Sequence, residues 1–195
     1  MPIKTIPSRV PSVRAQIRYD PDPQYDFETL ATITYNPGAR TVLGRVPKTA
    51  EEDAQIARWV RDGRAIGLPV WAYVHSSSTV KAALTNPFGC PWDSGRSGWV
   101  YAMTEDVLKE YGRQKMSPKL KQTVEQCMIK EVEVFDQYLN GDVYGVRILD
   151  GVEEVDAVWN VYGMEYAEQE AQLMLKHYLA THHPMAQTEL PIEFA

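Results

Sequence analysis

The sequence has only two cysteines in 195 residues, and they sit in unlike settings. Cys90 precedes a proline in a glycine-rich loop and Cys127 falls within a helical stripe, so no disulfide framework is expected and both are read as reduced. No apolar run approaches the roughly eighteen residues of a membrane span. The first eleven residues mix Pro2, Pro7 and Pro11 with Lys4 and Arg9, which is not a secretory leader, and the expected location is the cytoplasm. There is no GxxxxGK(S/T), GxGxxG or GxSxG sequence, so phosphate-cradling loops and the common serine-hydrolase elbow have no support. An excess of positive charge is also missing. Twenty basic residues face 26 acidic ones, net -6, which argues against direct nucleic-acid binding but falls short of a dense phosphate mimic.

Hydrophobic residues at 44% and charged residues at 24% are globular values. No repeat or low-complexity linker interrupts them, so the expectation is one domain over residues 13–183, an extended arm over 1–12 and a tail over 184–195. Val13, Ala15, Ile17 and Tyr19 alternate with polar residues, the period of a half-buried strand, and Asp20-Pro-Asp-Pro23 ends it. Residues 31–35 and 41–45 read as a hairpin around Asn36-Pro37-Gly38. Thr49 and Glu52 have capping-box spacing and predict a helix over 50–64 with Ile56, Trp59 and Val60 buried. Residues 68–75 and 99–103 read as strands, with Thr104 capping a short helix that ends near Gly112.

Ser117 and Pro118 open a long helix whose stripe is Leu120, Val124, Met128, Val132, Phe135 and Leu139, closed by Asn140-Gly141. Asp150-Gly151 predicts a hairpin between 143–149 and 152–162. An amphipathic helix over 164–181 follows. The order favours an α+β fold, a mainly antiparallel sheet covered by helices.

Chemistry concentrates in the loop 86–98, where Cys90, Trp92, Asp93, Ser94 and Arg96 lie among glycines and prolines, a setting in which sites are often built. A thiolate Cys90 with His75 as base and Asp93 as orienter is one reading. The competing one, a small buried thiol with Asp93 fixing a turn, has the better support because the signatures of known cysteine nucleophiles are missing. His75 is read as satisfied by a serine or a carbonyl. His177, His182 and His183 lack the i,i+4 spacing of a shared metal. A hydrolase acting on a nucleotide or nucleic acid would draw on His75, Asp93, Asp136 and Asp142, and a metal-assisted form would add Glu131 and Glu133. The residue pattern favours a solvated acidic helix face instead. No cofactor and no metal site is expected. Five tryptophans and eleven tyrosines exceed the needs of a core this size, and such residues also serve at protein interfaces.

The stretches Asn86-Pro-Phe-Gly-Cys-Pro-Trp-Asp-Ser-Gly95, Gly98-Trp-Val-Tyr101, Glu133-Val-Phe-Asp-Gln-Tyr-Leu-Asn-Gly-Asp-Val-Tyr-Gly145 and Asp156-Ala-Val-Trp-Asn-Val-Tyr-Gly163, with Tyr19-Asp20 and residues 68–76, resemble a family of uncharacterised proteins. Its members are scattered through phages, plasmids and other mobile elements. Relatives carry a histidine and an acidic residue where this chain has Pro37 and Arg45, and an aspartate where it has Val74, which weakens any triad. The resemblance, the acidic and aromatic surface expected and the missing catalytic signature together favour an accessory protein that binds a host protein and inhibits a defence complex of restriction or CRISPR type. Trp92, Asp93, Ser94, Arg96, Tyr138, Asp142, Tyr144 and Trp159 are the expected binding residues. The alternatives are the hydrolase and a structural virion protein that assembles from identical copies.

Overall fold

The computed structural model describes residues 1–25, 29–37 and 43–184. In chain order its elements are β1 (Lys4–Pro7), β2 (Val13–Tyr19), β3 (Thr32–Tyr35), β4 (Val46–Pro47), α1 (Ala50–Arg61), β5 (Ala65–Val74), β6 (Ser78–Ala82), β7 (Ser94–Met103), α2 (Thr104–Glu110), α3 (Pro118–Leu139), β8 (Val143–Asp150), β9 (Glu153–Tyr162) and α4 (Met164–His182). The fold is α+β with mostly antiparallel strands, as the element order implied. The strands are divided between two sheets, one in each of two compact units: Met1–Gln24 with Gly141–Ala195, and Tyr25–Asn140.

In the first unit the sheet order is β1-β2-β8-β9. Val13, Ala15 and Ile17 point to one side because strand side chains alternate, and there they meet Val146 and Ile148 from β8 and Ala167, Ala171 and Leu175 from α4. Each fully buried valine or isoleucine contributes about 1.5–3 kcal/mol. The tight β8–β9 turn is closed by Gly151 at φ 61°, a left-handed conformation that glycine adopts at little cost. β1 lies inside the stretch expected to be an extended arm. It pairs antiparallel with β2 from Lys4 opposite Ile17 to Pro7 opposite Arg14, and its proline is tolerated because the strand is at an edge.

In the second unit the sheet order is β4-β3-β7-β5-β6. The capping box of α1 is present: Thr49 Oγ1 accepts from Glu52 N–H at 3.2 Å and Glu52 Oε2 accepts from Thr49 N–H at 2.7 Å. Ser117 Oγ accepts from Leu120 N–H at 3.1 Å and starts α3, whose buried side is Val124, Met128, Val132 and Phe135. Thr104, by contrast, is not a cap. Its hydroxyl donates to the Gly63 carbonyl at 2.8 Å and Met103 takes the cap position.

The expected hairpin of 31–35 with 41–45 is replaced by a parallel pairing of β3 with β4, Thr34 opposite Val46. Residues 41 and 42 of the expected second strand lie outside the described residues. β6 was not anticipated, because in Ser-Thr-Val-Lys-Ala only Val80 is buried and an edge strand with one inward side chain has little period-two signal. The tail from 185 onward is likewise outside the described residues. Among the described residues no helix is long and apolar enough to cross a membrane.

Candidate functional site

The expected loop 86–98 is a loop only as far as Asp93, because Ser94 to Gly98 pair with β5 as the start of β7, and it is held by its own polar residues. Asn86 Oδ1 accepts from Phe88 N–H at 3.0 Å, and Asn86 Nδ2 donates to Ser94 Oγ at 2.9 Å. Ser94 Oγ donates to the Cys90 carbonyl at 2.5 Å, and the Cys90 thiol donates to Asp93 Oδ2 at 3.4 Å. The Asp93 carbonyl then accepts from Val74 N–H at 2.8 Å, tying the loop to the end of β5. Every contact in this chain spans eight positions or fewer, except the last. The rigid product leaves Trp92 at the tip with 92% of its surface exposed.

Behind Trp92 lies a groove of about 350 Å³ whose floor is Leu43 and Ala72 and whose walls include Val74, Asp93, Ser94 and Arg96. A β-bulge shapes it. β5 and β7 shift register between Val70 and Trp71, leaving Ser97 as the extra residue, and its hydroxyl donates to the Val70 carbonyl at 3.2 Å. At Gly98 the backbones of β7 and β3 are so close that an added Cβ would sit 1.9 Å from the Thr34 carbonyl oxygen.

Arg96 is fixed from below by a charged cluster absent from the sequence expectations. Asp53, in the first turn of α1, accepts from Arg96 Nη2 at 2.6 Å, from Lys48 Nζ at 2.6 Å and from Trp99 Nε1 at 3.0 Å. The Lys48 side chain is 3% exposed and also donates to Asn36 Oδ1 at 2.5 Å. Burial pushes the Asp53 carboxyl up, but the hydrogen bonds and charges of Lys48 and Arg96 outweigh it and hold it below the usual carboxylate range. The Arg96 guanidinium also lies 5.3 Å over the Trp99 ring.

The residues expected to form a hydrolase are otherwise engaged. His75 is exposed and stacks on Tyr73 with ring centroids 6.5 Å apart. Asp93 faces the Cys90 thiol, so the hydrogen bond that a Cys–His pair would need goes to a carboxylate. Asp136 Oδ1 accepts from Val80 N–H at 2.8 Å and from Asn140 Nδ2 at 3.3 Å, which makes it the clasp between α3 and β6. Asp142 belongs to the other unit. Among the described residues no three His, Cys, Asp or Glu side chains gather where an ion could be held.

Of the expected binding residues, Trp92, Asp93, Ser94 and Arg96 share the groove. Tyr138 does not line it and packs against Tyr25 and Phe135, 5.6 and 6.3 Å between centroids. Tyr144 is buried in the first unit and stacks on Tyr19 at 5.4 Å. Burial, then the hydrogen bond to Asp142, raise its phenol well above the usual range. Trp159 covers Gly145 so closely that an added Cβ would lie 2.2 Å from its ring, while 41% of it stays exposed. Asn160 holds φ 58°, a conformation asparagine tolerates. Its N–H donates to Asp20 Oδ2 and its Oδ1 accepts from Gln24 N–H, both at 2.8 Å. The His183 ring lies 3.4 Å from Asp150 Oδ2, to which Tyr178 also donates, and this pairs the C-terminal histidine with the β8–β9 turn.

The acidic face expected on α3 divides. Glu133 is exposed and pairs with Lys130 at 2.6 Å, whereas Glu131 turns inward and its Oε2 is buried with no hydrogen-bond partner among the described residues. The signal for this was in the spacing: 124, 128, 131 and 135 follow the 4-3-4 steps of a buried stripe, with a glutamate in the third place. Asp53 gives the same signal on α1, one turn before buried Ile56. Compared with known protein families, with curated proteins and with solved structures, the chain matches none.

Proposed function

We propose that the chain is a binding protein whose partner is another protein, engaged through Trp92 and the groove behind it. The observation that carries this reading is the exposure of Trp92 on a loop already fixed by its own hydrogen bonds. A large aromatic held in the open contributes nothing to the core. It does supply the kind of rigid anchor that dominates interface energies, with little ordering cost on binding. Arg96, fixed by Asp53 on the groove wall, adds an oriented donor beside it.

The finer reading rests on the resemblance to mobile-element proteins: the partner is a host defence complex of restriction or CRISPR type, and binding inhibits it. Tagged protein recovered from defence-bearing cells is expected to retain one stoichiometric complex through a salt wash, and Trp92→Ala to lose it. Phage plating in the same cells should rise with the wild type and not with the variant. Equal retention by both proteins would overturn the groove as the binding surface. A large symmetric assembly of the chain alone in light scattering would favour the virion reading instead.

A further inference from the structure

The sheet of the first unit carries its helix on one side only. Ala167, Ala171 and Leu175 of α4 pack onto the side formed by Val13, Ala15 and Ile17. The described elements of this unit are β1, β2, β8, β9 and α4, so it has no second helix to lay on the opposite side. Strand alternation sends Arg14, Gln16 and Arg18 of β2 to that opposite side, and the pairing sets Arg147 of β8 beside Gln16.

Arg147 is neutralised by Glu154 of β9. Arg14 and Arg18, by contrast, make no ion pair and no side-chain hydrogen bond among the described residues, although the chain as a whole carries net -6. Four positions apart on one strand, they are separated by about 13 Å, a line of positive charge rather than a point.

Trp159 completes the surface. Arg18 lies opposite Gly145 in the β2–β8 ladder, and the Trp159 ring lies over Gly145, where an added Cβ would meet three of its ring carbons at 2.2 to 2.9 Å. A glycine inside a central strand weakens it and marks a close approach. Here the approach lets the indole lie flat on the sheet beside Arg18, with 41% of the residue exposed. A flat aromatic next to an unpaired guanidinium is matched by a planar ring attached to a phosphate.

We propose that this side of the β1-β2-β8-β9 sheet binds single-stranded nucleic acid, a base stacking on Trp159 and the phosphates meeting Arg18 and then Arg14. The Gln16 amide between the two arginines offers a hydrogen bond to a base edge or a sugar. Phosphates respond to the local distribution of charge, so the acidic total of the chain does not oppose them here. A duplex keeps its bases stacked on one another and leaves Trp159 without a partner. An acidic peptide would engage the arginines and leave the ring unused.

The test uses the full chain and a fluorescein-labelled oligothymidylate of about twenty nucleotides, read by anisotropy at about 50 mM salt. Binding should saturate and move the indole N–H resonance of Trp159. The duplex with oligoadenylate should bind at least roughly tenfold more weakly. Trp159→Leu, which keeps an apolar cover over Gly145, should weaken the single strand roughly tenfold. Arg14→Gln with Arg18→Gln, both on the side away from α4, should lower the slope of log affinity against log salt by about 0.7 for each arginine. Equal affinity for single strand and duplex, or for polyglutamate of the same charge, would overturn the proposal. So would no saturation by about 100 μM, or an unchanged salt slope in the double variant.

Discussion

Two hollows of the Tyr25–Asn140 unit treat their polar groups in opposite ways. In the groove behind Trp92 the polar side chains are paired: Ser94 with Asn86 and Cys90 and Asp93 with Cys90 inside the loop, and Arg96 with Asp53 from α1. What is left over is a shape and one exposed aromatic. Under α3 the lining is mostly apolar and the buried Oε2 of Glu131 has no hydrogen-bond partner among the described residues. A satisfied loop with a protruding tryptophan suits a large partner that brings its own surface. A carboxylate oxygen sealed beneath α3 raises the cost of ionising Glu131.

Breaking the scaffold under the groove should have the largest effect. Asp53→Ala strands the Lys48 ammonium in the interior and releases Arg96, and it is expected to cost about 3 kcal/mol in urea unfolding. Because the Asp53 carboxyl is held below its ordinary 3.8, its contribution is present at neutral pH. It is lost as pH falls below 3.8 and through the folded-state value, so the stability gap between wild type and variant should narrow across that acid range. A gap that stays constant to pH 2 would show that packing, not charge, explains the loss.

Trp92→Ala separates binding from folding. With the ring almost wholly exposed, stability should change by less than about 0.5 kcal/mol, while affinity for the captured partner falls roughly thirtyfold, the loss typical of an interface anchor. A variant that unfolds earlier by several degrees would mean that the ring packs onto its own protein in solution.

Glu131→Gln sharpens the contrast from the other side. A carboxyl raised from 4.5 to about 7 favours the folded state fully below pH 4.5, and that advantage is lost as pH rises through 7. The wild type should therefore lose up to roughly 2 kcal/mol relative to Glu131→Gln between pH 5 and pH 8, after allowance for its part exposure. Parallel pH profiles would show that water reaches Oε2. Thr49→Ala touches neither hollow and should cost about 1 kcal/mol through loss of the α1 cap, with capture of the protein partner unchanged.

Local rules made much of this molecule legible. The Thr49–Glu52 box, Ser117-Pro118, the Asp150-Gly151 turn and the alternation from Val13 each depend on residues a few positions apart, and each element they announce is present. The polar loop with Trp92, Asp93, Ser94 and Arg96 was visible for the same reason, since its hydrogen bonds are nearly all short-range. The hydrolase constellation was not legible from residue type, which does not carry direction. Asp136 was counted as free chemistry, yet its oxygen is the acceptor for Val80, 56 positions away.

The amino-acid order by itself determined the class of fold, the principal helices and strands, and the loop that displays Trp92, because capping, turn formation and hydrophobic periodicity act within a turn of helix or a few strand residues. Only the tertiary structure decided that the strands form two sheets, that Lys48 and Arg96 converge on Asp53, and that Glu131 faces a cavity. Those outcomes depend on which distant surfaces close over one another. A carboxylate on a helix is a solvated charge or a buried acceptor according to what packs against that side, and no short-range pattern contains that information.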